Sequence, residues 1–233
     1  MMARSRTQIV LFDIDGTLLL SGGAGKRALN RAFKESFGVE DGFDSIPVAG
    51  RTDALIFRDA LDRSGVVATD SCRIGFFVRY YEYLEQEIIY PGRNKGLMPG
   101  VSLLLERLAQ LPDVVTGLLT GNFARAAKIK LQHFGIWDYF ALGAYGDDAS
   151  LRDDLVPIAV SRARANNVVI ASSADTIVVG DTPLDVRCAI AGGARSVAVC
   201  TGSYGESELR EAGADSVLPD LADSERFLKL ILG

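Results

Sequence analysis

Apolar and polar positions follow two regimes along this chain. Residues 8–12 form a short, continuous apolar run rich in Ile, Val and Phe, which predicts a buried strand. From Lys26 to about Tyr90 apolar residues recur at helical spacing and no strand pattern is present. Ala28, Leu29, Ala32, Phe33 and Phe37 mark one face of a helix that Gly38 stops, and 54–61 and 72–89 predict two more. From Met98-Pro99-Gly100 onward, helices and strands alternate over 101–110, 114–119, 124–134, 155–166, 176–179, 184–191 and 196–200. That alternation predicts an α/β fold with a doubly wound parallel sheet. Two flexible stretches, Ser21-Gly22-Gly23-Ala24-Gly25 and Pro91-Gly92-Arg93-Asn94-Lys95-Gly96, bracket the helical part. The expected organisation is an α/β core of residues 1–20 and 97–233, with an all-helical cap of residues 21–96 inserted between two hinges.

The chemistry lies where three apolar runs end. The first run stops in Asp13-Ile14-Asp15-Gly16-Thr17, so two carboxylates sit where the chain leaves a strand. In an open α/β sheet, ligands bind outside the strand C-termini. Two acids crowded there repel unless they share a cation or one keeps a proton. Taken alone, Asp-x-Asp-Gly also suits a solvated turn. A second run, 114–119, ends in Thr120-Gly121-Asn122, and a third, 176–179, ends in Gly180-Asp181-Thr182-Pro183-Leu184-Asp185. Hard oxygen ligands on adjacent strand ends suit Mg²⁺, which takes a few carboxylates plus water and a substrate phosphate. A hydroxyl and free backbone N–H groups at Thr120 and Gly121, opening a helix, suit a phosphate.

Composition removes several classes. The 233 residues are 48% hydrophobic and 24% charged, with a net charge of -5, so nothing suggests a nucleic-acid footprint. No segment is apolar for long enough to cross a membrane. Arg4 and Arg6 before the first apolar run faintly resemble a secretory leader, but Asp13 and Asp15 interrupt it too early. Cys72, Cys188 and Cys200 have no metal spacing and read as reduced, mostly buried thiols of a cytoplasmic protein. His133 is the one histidine and falls in a helical pattern, so mechanisms built on a His pair are excluded.

Asp13-Ile14-Asp15-Gly16-Thr17, Leu119-Thr120-Gly121-Asn122 and Gly180-Asp181-Thr182-Pro183-Leu184-Asp185, in that order, resemble the haloacid dehalogenase superfamily, specifically its phosphatase branch. The resemblance spans nearly the whole chain. It implies a Rossmann-like core with a helical cap after the first motif. It also implies Mg²⁺-dependent hydrolysis of a small phosphomonoester through an aspartyl-phosphate. Asp13 would be the nucleophile and Asp15 the general acid and base, a residue the dehalogenases lack because a halide leaves without a proton. Asp181 would complete the metal site with Asp13 and the backbone carbonyl of Asp15. Asp185 would be a further ligand, direct or through water, or simply a helix-start acid. Thr120 and the Gly121 backbone would hold phosphoryl oxygens, with Asn122 a further donor or a helix cap.

The family also places a cation, usually Lys, between the second and last motifs. Arg152 is the best-placed candidate; Lys128 and Lys130 are rivals, though they look like a solvated helix face. Within the insertion, Ala49-Gly50-Arg51-Thr52-Asp53 resembles the cap loop of phosphoglycolate phosphatase and beta-phosphoglucomutase relatives. Arg51 is expected to read a second anion of the substrate there, and Thr52 or Asp53 to cap the next helix. A phosphoglycolate-like metabolite is the expected substrate and partner. The alternatives are a phosphomutase and a non-catalytic sensor of a phosphorylated metabolite. The oligomeric state is left open.

Overall fold

Strand β1, Gln8–Phe12, is buried on both faces and lies inside a six-stranded sheet. Its companions are β4 (Val114–Leu119), β5 (Leu142–Ala144), β6 (Thr176–Gly180), β7 (Arg195–Val199) and β8 (Ser216–Leu218), in the order β5-β4-β1-β6-β7-β8. Every pairing in this sheet is parallel. The computed structural model describes residues 7–149, 151–168 and 172–232. Arg4 and Arg6, noted above for their leader-like pattern, lie outside the described residues.

Alternation along β1 splits the core into two layers. Val10 and Phe12 pack with Leu104, Leu105, Leu131, Phe227 and Ile231, which come from α4 (Val101–Leu108), α5 (Ala124–His133) and α9 (Ser224–Leu232). Ile9 and Leu11 pack on the other face with Val156, Ala159, Cys188 and Ala189, from α6 (Leu155–Ala165) and α7 (Pro183–Ala191). Apolar residues on both faces are what a parallel sheet covered by two helical layers requires. After β1 the chain builds outward through β4 and β5, then returns to β6 on the opposite side. The switch point therefore lies at β1, and it brings the C-terminal ends of β4, β1 and β6 side by side.

Between β1 and β4 comes the insertion, with α1 (Ala24–Phe37), α2 (Asp53–Ser64) and α3 (Asp70–Glu87) and no strand of the main sheet. Gly38 ends α1 in the left-handed conformation at φ 72°, as its position predicts. The helices close over an aromatic cluster of Phe33, Phe43, Phe57 and Phe76, the last two with ring centroids 4.3 Å apart. Across the junction Phe77 meets Phe123 at 4.6 Å.

A two-stranded antiparallel ribbon ties the insertion to the sheet: β2 (Leu19–Leu20) pairs with β3 (Gly96–Leu97). The two glycine-rich stretches meet beside it. A Cβ on Gly92 would stand 2.3 Å from the Gly22 carbonyl oxygen, so the crossing needs glycine. Cys72 is exposed, against the expectation of mostly buried thiols; Cys188 is buried and Cys200 lies between. Among the described residues no helix is long and apolar enough to cross a membrane.

Candidate active site

The three strand ends form one buried acidic cluster. Asp13 follows β1, anchored by its N–H to the Val179 carbonyl at 2.9 Å. Asp181 follows β6, and its Oδ1 accepts from the Thr17 hydroxyl at 2.9 Å. Asp185 sits in the first turn of α7, where its Oδ2 accepts from Thr182 N–H at 3.0 Å and from the Thr182 hydroxyl at 2.7 Å. It is thus both a capping-box acid and a member of the cluster. One oxygen from each of Asp13, Asp181 and Asp185 lies within 4.8 Å of the others.

Arg152 enters this cluster from the turn before α6 and is 5% exposed. Its Nη2 lies 2.9 Å from Asp13 Oδ1 and also bonds Asp185 Oδ1. Burial works against its charge, but Asp185 and Asp13 hold the guanidinium above its ordinary range. Three carboxylates against one guanidinium still leave an excess of negative charge. Burial, reinforced by the neighbouring acids, pushes Asp13 up to about 6 and Asp181 to about 8. The donors in the cluster are all carboxylate oxygens. The nearby Cys188 thiol, pushed up to about 12 by burial, donates to the Arg152 carbonyl instead. An all-oxygen set short of positive charge fits a hard divalent cation such as Mg²⁺.

Asp15 is served by different groups. Its Oδ2 accepts from Lys130 Nζ at 2.5 Å and from Asn122 Nδ2 at 2.8 Å. Lys130 also donates to Asn122 Oδ1 at 2.7 Å, and Asn122 Nδ2 to the Thr120 hydroxyl oxygen at 2.9 Å. Lys130 is only 4% exposed, so it is not part of the solvated face its sequence context suggests. The signal was present: Ala126, Ala127, Lys130 and Leu131 recur at helical spacing and make the buried stripe of α5. Lys128 does lie outside, over the Trp137 ring at 5.7 Å. The site therefore has two cations, Arg152 beside Asp13 and Lys130 beside Asp15.

Asn122 does not cap α5. That task falls to Asp53 from the insertion, whose Oδ2 accepts from Phe123 N–H at 2.9 Å, and to Asp147, which accepts from Ala124 N–H at 3.1 Å. Thr52 caps α2 by accepting from Leu55 N–H at 3.3 Å. The loop carrying them lies directly on the second motif: Asp53 N–H donates to the Gly121 carbonyl at 2.8 Å, and Arg152 Nη1 to the Gly50 carbonyl at 3.0 Å. Any Cβ on Gly121 would come within 2.1 Å of the Arg51 carbonyl oxygen. The Arg51 guanidinium itself is bound, to Asp59 at 2.7 Å and to the Pro47 carbonyl at 3.0 Å.

Asp53 is buried, and that burial pushes it up to about 6 despite Lys130 and its bond from Phe123. The folded protein therefore binds this proton more tightly than the unfolded chain does. Its contribution is present in full below about pH 4 and is lost as pH rises through about 6. Asp53→Asn keeps an acceptor for Phe123 and cannot ionise. We expect the melting temperature of the wild type to fall relative to Asp53→Asn between pH 4 and 6; parallel curves would disprove the assignment.

Between the strand ends and the insertion lies a cavity of about 200 Å³, with Asp13, Asp15, Thr120, Lys130 and Arg152 on the sheet side. Fold and site together define an α/β protein with a buried acidic site at the switch point of a doubly wound sheet. The sequence matches the haloacid dehalogenase-like hydrolase family over residues 10–199, and the chain belongs to that family. The probable phosphatase IndB of Dickeya dadantii (strain 3937) is 26% identical over 210 residues, 88% of this chain and 86% of that protein. The fold is similar to that of a predicted phosphoglycolate phosphatase from Haemophilus somnus 129PT, with a TM-score of 0.71 and 18% identity, covering 97% of this chain and 99% of that one. A putative beta-phosphoglucomutase from Thermotoga maritima is similar with a TM-score of 0.64 and 20% identity, covering 97% and 100%.

Proposed function

We propose that this protein is a Mg²⁺-dependent phosphatase that hydrolyses a small phosphomonoester through an aspartyl-phosphate on Asp13. The observation that carries this reading is the pair of carboxylates with separate cations, Asp13 beside Arg152 and Asp15 beside Lys130. Asp13, Asp181 and the Asp15 carbonyl, with Asp185 direct or through water, would hold Mg²⁺, which would supply charge neutralisation and orientation of the phosphoryl group. Asp13 forms an O–P bond as the bond to the leaving oxygen breaks, and Asp15 gives that oxygen its proton. Asp15 then takes a proton from the water that attacks phosphorus, the Asp13 O–P bond breaks, and inorganic phosphate leaves with the Asp13 carboxylate restored. Lys130 and Asn122 hold Asp15 in place for both transfers. Thr120 accepts from Asn122, which leaves its own hydroxyl proton free for a phosphoryl oxygen. Residues 21–96 act as a cap that covers the cavity and excludes water.

Phosphoglycolate would need a free cation for its carboxylate, and the Arg51 guanidinium is already shared between Asp59 and Pro47. A mutase would need even more positive charge there for a second phosphate. The geometry therefore favours hydrolysis of an ester with one anionic end.

p-Nitrophenyl phosphate tests the mechanism, because nitrophenolate leaves without a proton. The wild type should turn it over steadily. Asp15→Asn should release about one nitrophenolate per site in a burst and then slow by about two to three orders of magnitude, the scale of lost acid–base catalysis. A variant with no burst and undiminished steady turnover would refute the role of Asp15.

A further inference from the structure

Among the cavity-lining polar groups that the mechanism does not use is a buried phenol. Tyr80 of α3 is 1% exposed and lines the cavity. Its hydroxyl has no hydrogen-bond partner among the described residues. The sealed, unbonded side-chain atoms of the described residues are Arg152 Nε and Thr176 Oγ1, so the Tyr80 hydroxyl opens onto the cavity instead. Burial, then the charges of Asp53 and Asp15, hold the phenol well above its ordinary range, so it stays a neutral donor. A buried tyrosine hydroxyl with no protein partner is completed by a ligand or by water.

The groups around it disfavour a second anion. Leu29 and Ile56 line the same cavity and are 6% and 4% exposed. Asp53 adds negative charge close by. The two cations the insertion brings to the cavity are both engaged, Arg51 with Asp59 at 2.7 Å and Lys26 with Asp44 at 3.2 Å. A carboxylate or second phosphate placed here would meet an acid and an apolar surface, and would have to break an existing ion pair to find a partner. A hydroxyl or carbonyl oxygen would meet the Tyr80 donor at no such cost.

We infer that the substrate's leaving group is neutral and oxygen-bearing, seated on Leu29 and Ile56 with its hydroxyl or carbonyl accepting from Tyr80. This rests on the phosphatase reading above and narrows it. Tyr80 is then a specificity-determining residue that discriminates among esters while Asp13 and Asp15 do the chemistry.

The test uses the full chain with Mg²⁺ and matched series of phosphomonoesters: alkyl, terminal hydroxyalkyl and terminal carboxyalkyl phosphates over a range of chain lengths. At the best length the hydroxyalkyl phosphate should exceed both partners of equal length in kcat/KM by about tenfold, the scale of one buried hydrogen bond. Tyr80→Phe keeps the ring and removes the donor. It should bring the hydroxyalkyl-to-alkyl ratio close to one while changing the alkyl phosphate by less than about threefold, within the range of a repacked contact. A structural role would lower both esters together, and that result would overturn the assignment of Tyr80. Preference for the carboxyalkyl phosphate at every length would overturn the inference and leave the phosphatase reading intact. No turnover of any series or of p-nitrophenyl phosphate would remove both.

Discussion

Asp13→Asn should lose about four orders of magnitude or more in turnover of p-nitrophenyl phosphate, on the scale seen when a covalent nucleophile is removed. The amide is nearly the same shape but is not a competent nucleophile toward phosphorus. The loss should fall on kcat, because the ester still meets Thr120, Lys130 and the rest of the cavity. The fold should survive, for a physical reason specific to this site. Asp13 is one of three buried acids gathered around a single guanidinium, and burial and repulsion already push it up to about 6. Arg152 keeps Asp185 as its partner when Asp13 is neutralised. The melting temperature of the variant should therefore equal or exceed that of the wild type at pH 7 without metal. Retention of more than about one per cent of wild-type kcat in protein free of contaminating phosphatase would place the nucleophile elsewhere.

The same electrostatics explain which parts of the site could be read from residues alone. Asp13, Thr120 and Asp181 each follow a continuous apolar strand, and strand ends at a switch point are set by the local pattern and the order of elements. The three runs at 8–12, 114–119 and 176–179 correspond to β1, β4 and β6, the strands that position the chemistry. What escaped depends on distant partners or on too few residues. Lys130 shares the apolar stripe of α5, which the spacing shows, but its carboxylate partner Asp15 is on another element and only the tertiary fold supplies it. Arg51 lines the cavity, but its partner Asp59 lies about two helical turns along, a pairing that the loop motif does not reveal. Asp53 caps a helix to which it is not connected in sequence, which no local cap signature reveals. Strands β5 and β8 have three residues each, and the ribbon strands two each, too short for any period to register. Helices α8 (Glu206–Glu211) and α9 lie beyond the last run assigned, although Phe227 and Ile231 of α9 belong to the main core.

Chelation should silence the enzyme completely, and Mg²⁺ should restore it. Ca²⁺ should occupy the same acids and support little turnover, because its longer and looser coordination misplaces the phosphoryl group relative to Asp13. Stability gives a readout that does not depend on turnover. A cation that binds only the folded cluster stabilises by about 2.7 kcal/mol at a hundredfold excess over its Kd. In a chain of this length that is a rise in Tm of roughly 5–10 °C. The rise should grow with pH between 6 and 8, because metal must displace the protons that burial and repulsion keep on Asp13, at about 6, and Asp181, at about 8. Asp181→Asn separates the two halves of the argument. Removing one of the repelling acids should raise the metal-free Tm, and it should also abolish the Mg²⁺-dependent gain. Thermal melts of wild type and Asp181→Asn, with chelator and with Mg²⁺ at pH 6, 7 and 8, measure both effects. Full activity after chelation, or a wild-type Tm indifferent to Mg²⁺ at pH 8, would show that Asp13, Asp181 and Asp185 manage their charge through Arg152 and bound protons alone.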